Sequence, residues 1–433
     1  MSHQRKIHAG SYTVLKTTIC YANFGIFLGM GIVNSENNLM NKAFFYKIYH
    51  SVIPCFLLTL SIGFCYAFSL FVPHLAETLN ASRSYVQFSF CLNIFFLGMG
   101  AAFFGGLVER HIKIASFIST AFLFIGFVLA HLSVVFKSIW LLYVGIGVFC
   151  GLSEGCGYVV PVKNLLLWWN KTKKKGLISA ISIISFGLGS TLCSYLFGIL
   201  FPIYGIDNIF LAFAFIYAVP MLLAAFIINK PKYAIKKLSK FKSVDLKNLI
   251  SNSFFRRSWL FMFLNIAMGL ILIGSCASIL KEVNLADSTI IVVMMLCGVF
   301  NGAGRLVFPL ISDFLKKRTN IWLLTLVLEC AIMLPPMFAY ALIPISVIII
   351  NSTYGSGFAT LPSVLSDYYG NSNLSQIHGY VLSAWGFASL FAYLCTIAIT
   401  SFCSKYYFLV FVLFLVYVVN LVNVLTMKSV PRE

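Results

Sequence analysis

The sequence predicts an all-α membrane protein with 12 transmembrane helices in two pseudo-symmetric six-helix bundles. Three observations predict it. The 433 residues are 60% hydrophobic and only 10% charged, whereas ordinary soluble domains are roughly a quarter charged. Apolar runs of about 20 residues, long enough to cross a hydrocarbon layer as a helix, recur along the whole chain. Turn sequences from the first half also return in the second.

The apolar runs place spans at 53–73, 85–108, 112–133, 138–162, 177–200, 206–228, 258–280, 288–311, 320–342, 344–366, 377–399 and 405–427. Residues 1–50 read as an N-terminal cytosolic or interfacial segment. Within it, 19–33 is a 15-residue apolar run, short for a span, which suits a retained surface segment, a targeting signal or a further span. Residues 51–228 then form the first bundle and 258–428 the second. Between them lies 229–257, whose cations Lys230, Lys232, Lys236, Lys237, Lys240, Lys242, Lys247, Arg256 and Arg257 face a single acid, Asp245. This stretch reads as a basic cytosolic linker.

The net charge of +19 follows topology and does not point to nucleic acid. Loops on the linker's side hold Arg110 and Lys113, then Lys171, Lys173, Lys174 and Lys175, then Lys316, Lys317 and Arg318. The opposite loops hold only Arg83, Lys137, Lys281 and Lys405. The bias places both termini in the cytosol of a plasma or organelle membrane protein. Asn80-Ala-Ser82 is then a glycosylation sequon on the outer side. The 12 cysteines lie mostly inside apolar runs with no CxxC pair and no Cys/His cluster, so neither a metal nor a cofactor is expected. Lipid and a small solute are the expected partners, and a monomer the expected state.

The two halves echo each other. "GLVERHIK", Gly106 to Lys113, follows the second span, and "PLISDFLKKR", Pro309 to Arg318, follows the eighth. Each sets an acid before cations, and Glu109 and Asp313 stand 204 positions apart. "GCGYVVP", Gly155 to Pro161, in the fourth span returns as "GSGFATLP", Gly355 to Pro362, in the tenth, with the glycines offset by 200. Two such close offsets point to one six-helix unit used twice, an organisation common in transporters.

With the turns after spans two and eight, this pattern resembles the major facilitator superfamily, whose turn reads G-x-x-x-D-R-x-G-R. Gly105, Glu109 and Arg110 match it loosely, and Asp313 and Arg318 remain in the second copy, where Pro309 replaces the glycine. Segments Gly157 to Ser190, Asn301 to Asp313 and Tyr354 to Gly386, with Tyr66 and Ser69, are similar to the oxalate/formate antiporter branch, related to monocarboxylate porters. The resemblance implies a carrier for small carboxylates, with the eighth-helix Arg305 engaging the anion. Oxalate-carrying members add a cation on the eleventh helix. Trp385 stands where that cation is expected, which favours a single carboxylate such as pyruvate, lactate or formate.

An arginine inside a span costs ~2.5–3.5 kcal/mol on insertion scales. A bound carboxylate offsets that cost through two parallel charge-assisted hydrogen bonds. The structural alternative pairs Arg305 with a buried acid or with Asp313 at the turn. Tyr66, Tyr158, Tyr354 and Trp385 fall on spans that line the cavity in this fold, and a flat carboxylate suits rings that carry a donor. Glu154 in the fourth span suits proton coupling, a counter-ion to Arg305 or a protonated gap-filler. His378 suits a proton sensor or a solvated helix end, while Glu329 and His131 read as structural. Glu109, Arg110, Asp313 and Arg318 form the expected gating turns. The competing readings are a carrier of amino acids or another small organic solute, and a receptor or scaffold that kept the fold. No HExxH or nucleophile elbow points to an enzyme.

Overall fold

The computed structural model describes residues 37–231, 244–402 and 407–427, all helix, turn or loop with no strand among them. The apolar segment 19–33 and the middle of the basic linker lie outside the described residues. The chain divides into two units, residues 1–48 and 49–433. Of the first, only the opening of a helix, from Asn37, is described.

Among the described residues, twelve long helices follow one another. Helix α1, Asn37–Ile62, tightens into a 3₁₀ stretch, Gly63–Leu70. It begins well before the span expected at 53–73, because Phe44, Phe45 and Tyr46 extend the apolar run backwards past Lys47 and His50. Helix α2 spans Arg83–Arg110, α3 Ile112–Val135 and α4 Ile139–Trp168. Ser82 caps α2 by accepting from the Tyr85 amide. The next helical run, Lys175–Ile227, has 53 residues, far more than a bilayer needs. Gly205, at φ 61°, breaks it into α5 and α6. The left-handed conformation there costs a glycine little and most other residues more.

The second half runs α7 Ser253–Glu282, α8 Asp287–Ser312, α9 Asn320–Met333, α10 Ile343–Tyr369, α11 Leu374–Phe402 and α12 Tyr407–Leu425. Prolines 335 and 336 stop α9 nine residues short of the expected span end, at two short 3₁₀ turns.

Within residues 49–433, α2 packs along α11 from end to end. At the end that carries the linker, a Cβ on Gly105 would meet the Ser375 carbonyl. Midway, Gly98 lies against Gly386. Toward the far end, the Cys91 thiol reaches Ser389 O at 3.5 Å, and the Phe88 and Tyr393 rings are 5.2 Å apart. Helices α5 and α8 behave differently. They meet at the linker end, where Gly176 lies against the Pro309 carbonyl, and again at Ile183 and Arg305. Beyond that level Gly187, Gly298 and Gly302 have open space beside them.

Candidate functional site

Arg305 lies midway along the crossing of α8 and α10. The sequence makes that crossing close: a Cβ on Gly304 would fall 2.0 Å from Ser352 O, and one on Gly355 would fall 2.6 Å from Asn301 O and 3.0 Å from Arg305 Cγ. The glycines let the two backbones touch, and the arginine stem lies along the groove they leave. Arg305 as a whole is 2% exposed.

Its protein partners are neutral. Nε donates to Asn301 Oδ1 at 3.0 Å, one turn back on α8, and Nη1 donates to Ile183 O on α5 at 3.4 Å. The Tyr66, Phe186 and Phe358 rings each stand 5.9 Å from Cζ, within the range of cation–π attraction. Among the described residues no carboxylate lies within ion-pair distance. Asp313 pairs with Arg318 instead, and Glu154 with Asn93.

The Tyr66, Tyr158 and Tyr354 hydroxyls lie within the electrostatic reach of the guanidinium, and Trp385 and His378 adjoin Tyr158. Tyr66 comes from the 3₁₀ stretch after α1, Tyr158 from α4, Tyr354 from α10, and Trp385 and His378 from α11. The Tyr66 and Tyr354 hydroxyls lie against each other, and neither completes a well-aligned hydrogen bond. The Tyr158 hydroxyl, Trp385 Nε1 and both His378 ring nitrogens are also buried and unpartnered. Ring contacts hold the set together: Tyr158 is 5.8 Å from Trp385, 6.2 Å from His378 and 5.5 Å from Phe186, and Trp385 is 4.2 Å from Phe358. Most of these unpartnered atoms are donors. Buried polar atoms are normally paired, so an all-protein interior accounts poorly for this group.

His378 departs from the reading as a solvated helix end. It is fully buried, one turn into α11, beneath Tyr158. Glu329 is buried on α9 and accepts from Asn265 Nδ2 at 3.2 Å, apart from Arg305. Glu154 is fully buried on α4, one turn from Tyr158, and accepts from Asn93 Nδ2 at 3.0 Å.

The acid–cation turns cross between helices. The Glu109 carboxylate accepts from the Asn373 amide at 3.2 Å and the Ser375 amide at 3.1 Å, at the start of α11. Asp313 does the same at the start of α5, accepting from the Gly176 and Leu177 amides at 2.9 and 3.0 Å. A helix N-terminus offers unpaired N–H groups and positive potential, so each acid ties one half's turn to the other half's helix. Cations complete both knots. Lys163 pairs with Glu109 and also donates to the Asn371 carbonyl. Arg318 pairs with Asp313 at 2.6 Å and with Asp367 at 2.7 Å, and Lys175 reaches Asp367 at 2.9 Å. The Arg110 side chain is exposed, while its carbonyl and that of Glu109 accept from Lys230 Nζ. Lys163 was not singled out in the sequence, and Lys230 was read only as one of the linker's cations. Their signal was a lysine placed just where an apolar run ends.

The Major Facilitator Superfamily profile matches residues 55–393. The chain belongs to the major facilitator superfamily. It is thus a multi-pass membrane protein of a transporter family whose members carry small solutes. The MFS-type transporter YhjX of Escherichia coli K12 is 27% identical over 344 residues, covering 76% of this chain and 83% of that protein. The oxalate:formate antiporter of Oxalobacter formigenes is 21% identical over 364 residues, covering 82% and 84%. Among solved structures, the proton:xylose symporter XylE superposes with a TM-score of 0.69 at 13% identity, over 88% of this chain and 96% of that one. A bacterial homologue of the iron transporter ferroportin gives 0.69 at 15% identity, over 87% and 98%. FucP gives 0.62 at 13%, over 87% and 99%. At these identities the superpositions establish the fold, the MFS arrangement of helices, and not the solute.

Proposed function

We propose that this transporter carries small carboxylates, with Arg305 as the anion-binding group. One observation carries the reading: a buried Arg305 with no acidic partner among the described residues, beside the Tyr66–Tyr354 hydroxyl pair and the unpartnered polar atoms of Tyr158 and Trp385. A carboxylate supplies what that group lacks, a negative charge and two acceptor oxygens in one plane. The aromatic walls suit a short, flat anion, such as pyruvate, lactate, formate or oxalate. The 21% likeness to an oxalate:formate antiporter agrees with this choice.

In the proposed cycle, residues 51–228 and 258–428 rock about Arg305. The Glu109 and Asp313 knots hold the linker end shut, the side that the excess of cations assigns to the cytosol. The open space beside Gly187, Gly298 and Gly302 is the entrance from the other side. Release toward the linker end requires both knots to break.

The test is counterflow in proteoliposomes. Labelled pyruvate, lactate, formate or oxalate, each tested singly, exchanges in the wild type and not in Arg305→Ala. Counterflow unchanged in Arg305→Ala removes Arg305 from the mechanism. If no carboxylate moves while an uncharged solute does, the substrate class is wrong.

A further inference from the structure

We infer that the groove between the start of α7 and the end of α12 binds an anionic phospholipid of the leaflet at the linker end, with Arg256 and Arg257 holding its phosphate. The groove stands apart from Arg305 and needs no carboxylate.

The sequence puts two cations where a helix tolerates them poorly. Asn252 caps α7 by accepting from the Phe254 and Phe255 amides at 2.9 and 3.1 Å, and Arg256 and Arg257 follow directly. The N-terminal end of a helix carries positive potential, which favours anions and opposes cations. The first turn of α7 holds no acid. Among the described residues no carboxylate pairs with either arginine. Asp245 is the linker's acid, and it caps the short helix Leu246–Ser251 by accepting from the Lys247 amide at 3.0 Å. The two arginines therefore lack a negative charge that the chain does not supply.

Neutral acceptors hold both guanidinia in place. Arg256 Nη1 donates to the Ile250 and Ser251 carbonyls at 3.0 and 2.9 Å, at the end of the short helix. Arg257 reaches across to α12. Its Nη1 donates to Asn423 O at 3.1 Å and to the Thr426 hydroxyl, and its Nε donates to Ser253 Oγ at 3.3 Å. Asn423 Nδ2 returns a bond to Arg257 O at 3.0 Å. An arginine has five N–H donors, so each side chain is fixed with donors to spare. Beside them opens a cavity of about 330 Å³, lined by Ser253, Arg256, Arg257, Leu260 and Asn423. A phosphodiester brings one negative charge and two free oxygens, which forked donors match.

The surroundings favour a lipid over a soluble phosphate. Helices α7 and α12 are both long and apolar enough to cross a bilayer, and the groove lies at their linker ends, at headgroup depth. Exposed apolar side chains continue from it along the spans: Leu260 on α7, then Val422 and Val419 on α12. They give an acyl chain a wall to lie against. The short helix buries Leu249 and exposes Leu246, Lys247 and Ile250, the pattern of a segment resting on a membrane surface. Two cations also choose between headgroups. A zwitterionic lipid brings a cation of its own beside them, and an anionic lipid does not.

The experiment is native mass spectrometry of the full chain in detergent, titrated with phosphatidylglycerol and, separately, with phosphatidylcholine. The wild type should prefer phosphatidylglycerol about 25-fold, roughly fivefold for each arginine. Arg256→Gln should cut that preference to about fivefold, and the double variant Arg256→Gln/Arg257→Gln should abolish it. Arg256→Lys, which keeps the charge, should retain more of it than Arg256→Gln. Glycerol phosphate in excess should leave the bound lipid in place. Equal binding of the two lipids overturns the inference, as does an undiminished preference in Arg256→Gln. Displacement by glycerol phosphate overturns it too, because the groove then takes a soluble phosphate. Arg257 clasps α12, so the double variant can fail to fold. Arg256→Gln against Arg256→Lys then decides, since Arg256 bonds only to the carbonyls of the adjoining short helix.

Discussion

Arg305→Lys keeps the charge and removes the fork. Arginine reaches the neutral acceptors Asn301 Oδ1 and Ile183 O with Nε and Nη1 and still has N–H groups left on one rigid plane. Those remaining donors can meet both oxygens of a carboxylate side by side. Lysine offers three donors from a single point on a flexible stem. At least one charge-assisted hydrogen bond to the anion is lost, a cost of about 1.5–3 kcal/mol. That converts to a rise of about 10- to 150-fold in half-saturating concentration. Contact with the Tyr66, Phe186 and Phe358 rings, each 5.9 Å from Cζ, weakens too, so the upper part of the range is expected. The assay is initial-rate uptake of a labelled carboxylate across a concentration series, with protein amount matched by fluorescence-detected gel filtration. A shift below about threefold, or a fall in maximal rate with no change in half-saturation, would refute the two-point contact.

Further expectations follow from the same geometry. Gly355→Ala puts a methyl 3.0 Å from Arg305 Cγ and 2.6 Å from Asn301 O, so the guanidinium shifts; uptake should fall about 100-fold while the protein still purifies as a monodisperse peak. Exchanging the charges of the Glu109–Lys163 pair should not rescue the single variants, because the Glu109 carboxylate also accepts from the Asn373 and Ser375 amides and a lysine there cannot; melting temperatures of the two singles and the double decide it. Lys230, just beyond α6, is pushed down to about 8 by burial, with Glu109 pulling back and Lys163 adding to the fall. An unfolded lysine keeps its proton up to about 10.4, so between these values the unfolded chain binds more protons and stability rises with pH. Thermal melts from pH 7.5 to 10 should show that rise, and Lys230→Met should flatten it; equal slopes would remove Lys230 as its source.

Much of this was legible before any coordinates. Apolar runs and clustered cations gave the helices in order, because crossing a bilayer imposes length and composition on each segment separately. The break near Gly205 and the acid turns at Glu109 and Asp313 were visible for the same local reason. What stayed hidden depends on helices distant in sequence. His378 reads as a helix end beside a polar loop, and only the packing of α11 beneath Tyr158 buries it. The acceptance of α11 and α5 backbone amides by Glu109 and Asp313 has no sequence signature, since amides are anonymous. The start of α1 was placed late because Lys47 and His50 interrupt an apolar run that the helix continues through; His50 Nδ1 bonds the Ile227 carbonyl at 2.7 Å, which places a polar group where the sequence suggested solvent.

The most direct measurement is an experimental structure of the protein with a carboxylate bound. The account predicts both carboxylate oxygens at about 2.8 Å from the Arg305 guanidinium, with hydroxyl or indole donors from Tyr66, Tyr158, Tyr354 or Trp385 completing the shell. A carboxylate bound elsewhere, or an Arg305 that turns to pair with Glu154 while the anion sits apart, would contradict it.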